Sequence, residues 1–372
     1  HLSGQFEHAD KVNAKALDEY VYQNTGCYSC PIRCSRLSEV KSGPYQTKIE
    51  GPEYETINAM GPMVNNYDME VIIYANKLCN EYGIDTISTG AIISFAMECH
   101  EKGLLDDENL SLEWGDKETI LTLIKKIALR EGLGDLLAEG SYRAAHEIGQ
   151  GAEKLALHVK GMEIPMQEPR TSKAMGLGHA TSNRGADHLY GLPTIDLTGN
   201  VEVAEKYFSE YLPEILEVYS QKYKPEMLNF TQEYNAISDA LGVCKFSTTE
   251  NFALLPSDIA EGISLLREDL DFDEQELLKA GERIINLERM YNYRHGMTRE
   301  ADQLPERFLK EPLNVYEIEE NHPTEEILVE ELVVDLDEML DIYYQLRGWN
   351  KKGVPTEETL KKLDLEELAD DL

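Results

Sequence analysis

The chain has 372 residues, 42% of them hydrophobic, which is enough to bury a full core and to divide into two domains. Its 70 acidic against 35 basic residues leave a formal charge of −35, which repels phosphate backbones and anionic lipid and argues against a nucleic-acid or membrane partner. Thr86 to Met97, the longest uncharged stretch with apolar character, is too short and too polar to span a bilayer, and no secretory signal is visible.

His1 stands where a start methionine would, and no strand-rich segment precedes the first cysteine, so the sequence reads as a fragment of a longer chain. Cys27, Cys30 and Cys34 then form a C-x2-C-x3-C array, expected as a tight loop entering a helix that turns three side chains inward. A fourth cysteine, Cys244, ends the run Asp239-Ala240-Leu241-Gly242-Val243-Cys244. Soft sulfur ligands at such spacing select an iron–sulfur cluster or zinc. Zinc sites usually bring a second short Cys/His pair, and none follows here. A disulfide scaffold would be short and cysteine-dense, which this chain is not; its thiols read as reduced and its compartment as cytoplasmic. Cys79 and Cys99 fall inside apolar helical patterns and are expected as buried thiols.

Glu50 to Thr56 places Glu50, Glu53, Glu55 and the Tyr54 phenol next to the array in sequence. A carboxylate in a dry pocket can move protons at neutral pH, whereas a solvated acidic turn cannot. Helical periodicity dominates beyond this point. Tyr67 to Tyr82 and the segment after Asp85 read as helices ended by Gly83 and Gly103. From Lys117 to Arg130, Ile120, Leu123, Ile124 and Ile127 paint one helical face, with Gly132 as the stop. Asp135 is a candidate cap for a helix running toward Gly149.

After Gly161 the chain turns irregular, and such stretches inside compact proteins are commonly functional. This one contains Thr181-Ser182-Asn183-Arg184-Gly185-Ala186-Asp187-His188, where a fixed cation, a permissive glycine and a histidine could cradle an anionic cofactor. Helices are expected again over Val201 to Tyr223, over Ser257 to Leu266 with Ser257 as N-cap, and over Asp273 to Tyr291. Leu336, Met339, Leu340 and Tyr343 form a last stripe before Gly348, and the acidic tail from Glu357 reads as a short surface helix. Asn80-Glu81-Tyr82-Gly83-Ile84-Asp85 and Asp239 to Cys244 resemble each other, each setting polar groups around a glycine at a helix end. Carboxylates there could accept hydrogen bonds from the N–H edge of a heterocycle. No strand series is evident. The expected fold is mainly α and multihelical, in two packed all-α domains: residues 1–160 with the cysteine loop and residues 161–372 with Cys244.

Taken together, these runs resemble the helical C-terminal part of the tungsten-containing aldehyde:ferredoxin oxidoreductases. The likeness extends through Gly83 to Gly90, Phe95 to Cys99, Arg294 to Arg299, Leu304 to Phe308 and Leu346 to Trp349. It implies that an N-terminal β-rich domain, absent from this sequence, helps to hold a tungsten bis-pyranopterin. It further implies that Cys27, Cys30, Cys34 and Cys244 ligate a 4Fe-4S cluster, and that Asp85 and Asp239, with Gly242, grip the pterins, where Asn183 and Arg184 also serve. Asn80 stands where the family can carry aspartate. Glu55, with Tyr54 adjacent, and His188 would face the metal, Glu53 competing with Glu55. The implied reaction oxidises an aldehyde to a carboxylic acid and passes electrons through the cluster to ferredoxin, in a chain that can form a homodimer. Asp187 replaces a cysteine usual in the aldehyde oxidisers, which leaves the substrate open. The alternatives are an iron–sulfur electron-transfer module without its own catalysis, or a subunit like that of benzoyl-CoA reductase.

Overall fold

The computed structural model describes residues 1–2, 8–267, 272–318 and 326–371. It divides into two units, His1–Met166 and Gln167–Leu372.

The first unit opens with α1 (Ala14–Asp18) and three antiparallel strands, β1 (Val21–Thr25), β2 (Ser35–Val40) and β3 (Thr47–Glu50). This sheet was not expected. Its strands are four to six residues long, and β1 buries none of its residues, so the apolar alternation that marks a half-buried strand is missing. Helices α2 (Tyr54–Met60), α3 (Met69–Tyr82), α4 (Thr86–Glu101), α5 (Lys117–Leu129), α6 (Leu133–Leu137) and α7 (Ser141–Ile148) follow, then a hairpin of β4 (His158–Val159) and β5 (Met162–Glu163). Ile120, Leu123, Ile124 and Ile127 of α5 are buried as their spacing requires. They share a core with Ile72, Ile73 and Cys79 of α3 and Ile93, Met97 and Cys99 of α4.

Two helix ends differ from expectation. Arg130, in left-handed conformation, already stops α5, and Gly132 precedes α6. Asp135 lies inside α6, and Gly140, at φ +82°, breaks the segment before α7. Helix α2 packs on α4 across Gly90, where a Cβ would stand 2.3 Å from the Ala59 carbonyl oxygen.

The second unit contains α8 (Lys173–Thr181), α9 (His188–Gly191), α10 (Val201–Phe208), α11 (Lys224–Leu241), α12 (Pro256–Leu266), α13 (Glu274–Arg294) and α14 (Glu306–Lys310). A hairpin of β6 (Leu313–Ile318) and β7 (Glu326–Leu332), then α15 (Leu336–Leu346) and α16 (Glu357–Lys362), complete it. The irregular stretch after Gly161 thus hides α8 and α9. The helix expected to reach Tyr223 ends at Phe208 and passes into a single 3-10 turn over Ser209–Tyr211; the extended Leu212 and Pro213, which has no N–H, keep it from continuing. Pro256 is the first residue of α12, and Asp258 accepts the Leu255 N–H at 2.7 Å, so Leu255 rather than Ser257 occupies the N-cap.

Helix α11 is the hub of this unit and packs against α8, α9, α13 and α15. Leu360, Leu363, Leu365 and Leu368 of the acidic tail are buried with Met290, so the tail is docked rather than merely superficial. Among the described residues, two ion pairs lie fully out of water: Lys224 with Asp196 at 2.6 Å, and Arg289 with Asp302 at 2.7 Å.

Gly90→Ala should destabilise the protein by about 1–3 kcal/mol through overpacking against the Ala59 carbonyl. Intrinsic propensity would have favoured alanine by about 1 kcal/mol. Thermal unfolding reads the sign, and an unchanged or higher midpoint contradicts the close approach.

Candidate functional site

The cysteine loop does not enter a helix; it joins β1 to β2, which pair from Val21 with Ser38 through Thr25 with Ser35. Nor are the three thiols turned inward as expected: Cys27 and Cys34 are exposed and Cys30 is partly exposed. Cys30 N–H donates to the Cys27 carbonyl at 3.1 Å, and Ser29 and Arg33 adopt left-handed φ values of +58° and +50°. Two arginines brace the turn. Arg33 donates to the Asn24 carbonyl at 2.7 Å and Arg36 to the Cys34 carbonyl at 3.1 Å. The loop ends pinch together, since a Cβ on Gly26 would lie 2.8 Å from the Arg33 Cα.

The six cysteines fall into two classes. Cys27, Cys34 and Cys244 are exposed and Cys30 is partly exposed, whereas Cys79 and Cys99 are buried. Burial pushes both of the latter thiols up to about 12, with Asp85 adding to the rise at Cys79 and Glu98 at Cys99. A soft metal centre needs thiolates it can reach, and the four accessible sulfurs fit that demand where the two buried ones do not. Among the described residues, no three His, Cys, Asp or Glu side chains are gathered as a metal site.

Beyond β3 the backbone passes Gly51 and Pro52 into α2. Ser35 donates to the Glu50 carboxylate. Glu53 and Tyr54 are exposed, while Glu55, in the first turn of α2, is partly buried and its Oε2 accepts the Met166 N–H at 3.4 Å. Asp85 is exposed and caps α4, accepting the Ser88 N–H at 2.6 Å. Asn80 donates to the Asn76 carbonyl at 2.8 Å.

The two similar glycine runs are the same helix stop. Gly83 and Gly242 are both left-handed at φ +68°, and the following residue donates back across the last turn, Ile84 to Cys79 and Val243 to Ser238. They diverge afterwards: Asp85 starts the next helix, whereas Cys244 enters a loop in which Ser247 N–H and Oγ both donate to its carbonyl. Asp239 is exposed and ion-paired with Lys245.

The Asn183-to-His188 loop lies between α8 and α9. Arg184 pairs with Asp187, and its guanidinium lies 5.7 Å from the centre of the Tyr190 ring. Asp187 caps α9 by accepting the Leu189 N–H at 2.8 Å. Asn183 turns its amide nitrogen onto the Tyr190 hydroxyl at 2.8 Å and the Ile285 carbonyl at 3.3 Å. His188, partly buried, lies within electrostatic reach of Glu250, whose carboxyl is raised by burial while the imidazole pulls it down. Sequence reasoning missed Tyr190, two residues past His188 but marked by no motif, and Glu250, Glu288 and Asn292, which reach this loop only on folding.

Residues 1–365 match the family model described as aldehyde ferredoxin oxidoreductase, domains 2 and 3. The tungsten-containing aldehyde ferredoxin oxidoreductases of Thermococcus kodakarensis and Pyrococcus furiosus are each 37% identical, covering 98% of this chain and 56% of their own length. The WOR-like subunit of an aliphatic sulfonate oxidoreductase of Pyrococcus furiosus is 30% identical over 91% of this chain and 50% of its own. The chain therefore spans about half the length of the curated relatives it matches. Among solved structures, the active-site complex BamBC of benzoyl coenzyme A reductase with 1,5-dienoyl-CoA shares the fold, with a TM-score of 0.74 and 24% identity over 96% of this chain and 55% of that one. No helix among the described residues is long and apolar enough to cross a membrane.

In metal-free, reduced protein, iodoacetamide at pH 8 should alkylate Cys27, Cys30, Cys34 and Cys244 and spare Cys79 and Cys99 until the protein unfolds. Peptide mass spectrometry reads each site, and native-state labelling of Cys79 or Cys99 at comparable rates contradicts the two classes.

Proposed function

Because the chain belongs to the aldehyde ferredoxin oxidoreductase family, we propose that it is the helical part of a tungstopterin enzyme that oxidises an aldehyde to a carboxylic acid and passes electrons through a 4Fe-4S cluster to ferredoxin. The reaction balances as aldehyde plus water giving carboxylic acid, two protons and two electrons. The observation that carries this reading is the division of the thiols. The four cysteines at family-motif positions are the accessible ones, and the two outside the motif are locked in the core.

Cys27, Cys30, Cys34 and Cys244 would hold the cluster. Asp85 and Asp239 carry exposed carboxylates at helix ends, suited to accept from the N–H edge of a pterin, with Gly242 keeping side-chain bulk away. Arg184 offers a half-exposed cation to an anionic group, while Asn183 serves the site through the loop it anchors. When bound, the tungsten centre supplies two-electron chemistry and the cluster a one-electron relay. Glu55 is the base that takes a proton from water or the aldehyde hydrate. Its partial burial and its tether to Met166 distinguish it from the exposed Glu53. Tyr54 flanks it, and His188 hydrogen-bonds the substrate oxygen.

Glu55→Gln in the full-length, tungsten-loaded enzyme should lower kcat by ~10²- to 10⁴-fold with tungsten content unchanged. Viologen-coupled aldehyde oxidation reads the loss, and an active variant would move the role to Glu53. Cys244→Ser should abolish the cluster absorbance of anaerobically purified enzyme; full iron content with an unaltered spectrum would remove Cys244 from the ligand set.

A further inference from the structure

We propose that Glu288 is the positioning residue for His188: one carboxylate oxygen on α13 closes the loop that presents the imidazole. Glu288 Oε2 accepts the Tyr190 hydroxyl at 2.7 Å and the Asn183 amide at 3.3 Å. Those two residues bracket His188, one five positions before it and one two positions after. The Asn183 amide also reaches the Tyr190 hydroxyl at 2.8 Å, so the two ends of the segment are joined to each other as well as to Glu288. A second residue of α13 secures the backbone, for Asn292 donates to the Asn183 carbonyl at 2.8 Å.

The polarity of the clamp is set by burial. Tyr190 is buried, and desolvation holds its phenol well above the ordinary range, with the Glu288 charge adding to the rise. The phenol therefore remains the donor and the carboxylate the acceptor. A charge-assisted bond of this kind is roughly twice as strong as a neutral one. The short helix α9 needs the help, since four residues make barely one turn and isolated turns are unstable. Without Glu288, the N-terminal side of the segment would still be held by Asn292 and the Ile285 carbonyl, but the Tyr190 end would keep only its bond from the Asn183 amide, and the half-exposed Arg184 to Asp187 pair adds little in water. Misplacement of a reacting group by about 1 Å can cost on the order of 100-fold in rate.

The inference rests on the reading of His188 as a group that meets the substrate. Its test uses full-length, metal-loaded enzyme carrying Glu288→Ala, Glu288→Gln, Tyr190→Phe or, in parallel, His188→Asn. Glu288→Ala and Tyr190→Phe should each lower kcat by ~10- to 100-fold with the aldehyde KM unchanged, and should speed amide hydrogen exchange in the peptide covering residues 182–191. Glu288→Gln, which can still accept from the phenol, should restore most of both. Tyr190→Phe removes a single oxygen, so it reports even if Glu288→Ala does not fold. Unchanged exchange and kcat in both Glu288→Ala and Tyr190→Phe overturn the clamp. Faster exchange with unchanged kcat, while His188→Asn is inactive, overturns positioning and leaves the role of His188 intact. A fully active His188→Asn removes the catalytic reading itself, and the exchange data then judge the clamp alone.

Discussion

Arg347 has no access to water, and the second unit is built around that fact. Its guanidinium donates to Glu233 at 2.7 Å, to the Asn229 carbonyl at 3.0 Å and to Gln232 at 3.0 Å, all on α11, and to the Tyr343 hydroxyl at 3.2 Å on its own helix. Gln232 continues the chain of bonds to Thr181 at the end of α8. A buried cation is tolerable only when each donor finds an acceptor, and breaking such a pair costs about 3–5 kcal/mol. The network thus fixes the azimuth of α11 relative to α15 and to the end of α8. That helix in turn carries the Asp239 to Cys244 stop at one end, and the loop bearing His188 begins where α8 finishes. The Leu346-Arg347-Gly348-Trp349 run, remote in sequence from every candidate catalytic residue, therefore anchors the helices from which the candidate loops depart.

A second constraint sorts the cysteines. A thiol surrounded by hydrocarbon keeps its proton, because the thiolate would be desolvated, and a metal binds only the thiolate. Cys79 and Cys99 obey the first half of that rule, packed between α3, α4 and α5. The other four remain reachable, three of them on a loop braced by arginines that bond to backbone carbonyls. The braces spend their donors on backbone carbonyls.

Much of this was legible before folding. The stripe Ile120, Leu123, Ile124, Ile127 marked α5, and Leu336, Met339, Leu340, Tyr343 marked α15, because a helix with one buried face must repeat its apolar residues. The burial of Cys79 and Cys99 was legible for the same local reason, since both fall inside apolar helical patterns. The sheet around the cysteine loop was not, since β1 is mostly exposed and shows no alternation. Tail leucines that looked superficial pack on α13 because charges between them face solvent. Glu288 was invisible as a partner of Asn183, being 105 positions away in the chain. Local patterns report faces and caps; contacts made through tertiary folding leave no local trace.

Iron-edge anomalous diffraction from anaerobically grown crystals of the full-length protein should show one compact iron peak bonded to the Sγ atoms of Cys27, Cys30, Cys34 and Cys244. Iron bonded to other residues, or a Cys244 sulfur bound to nothing while the N-terminal trio holds metal, would contradict this ligand set.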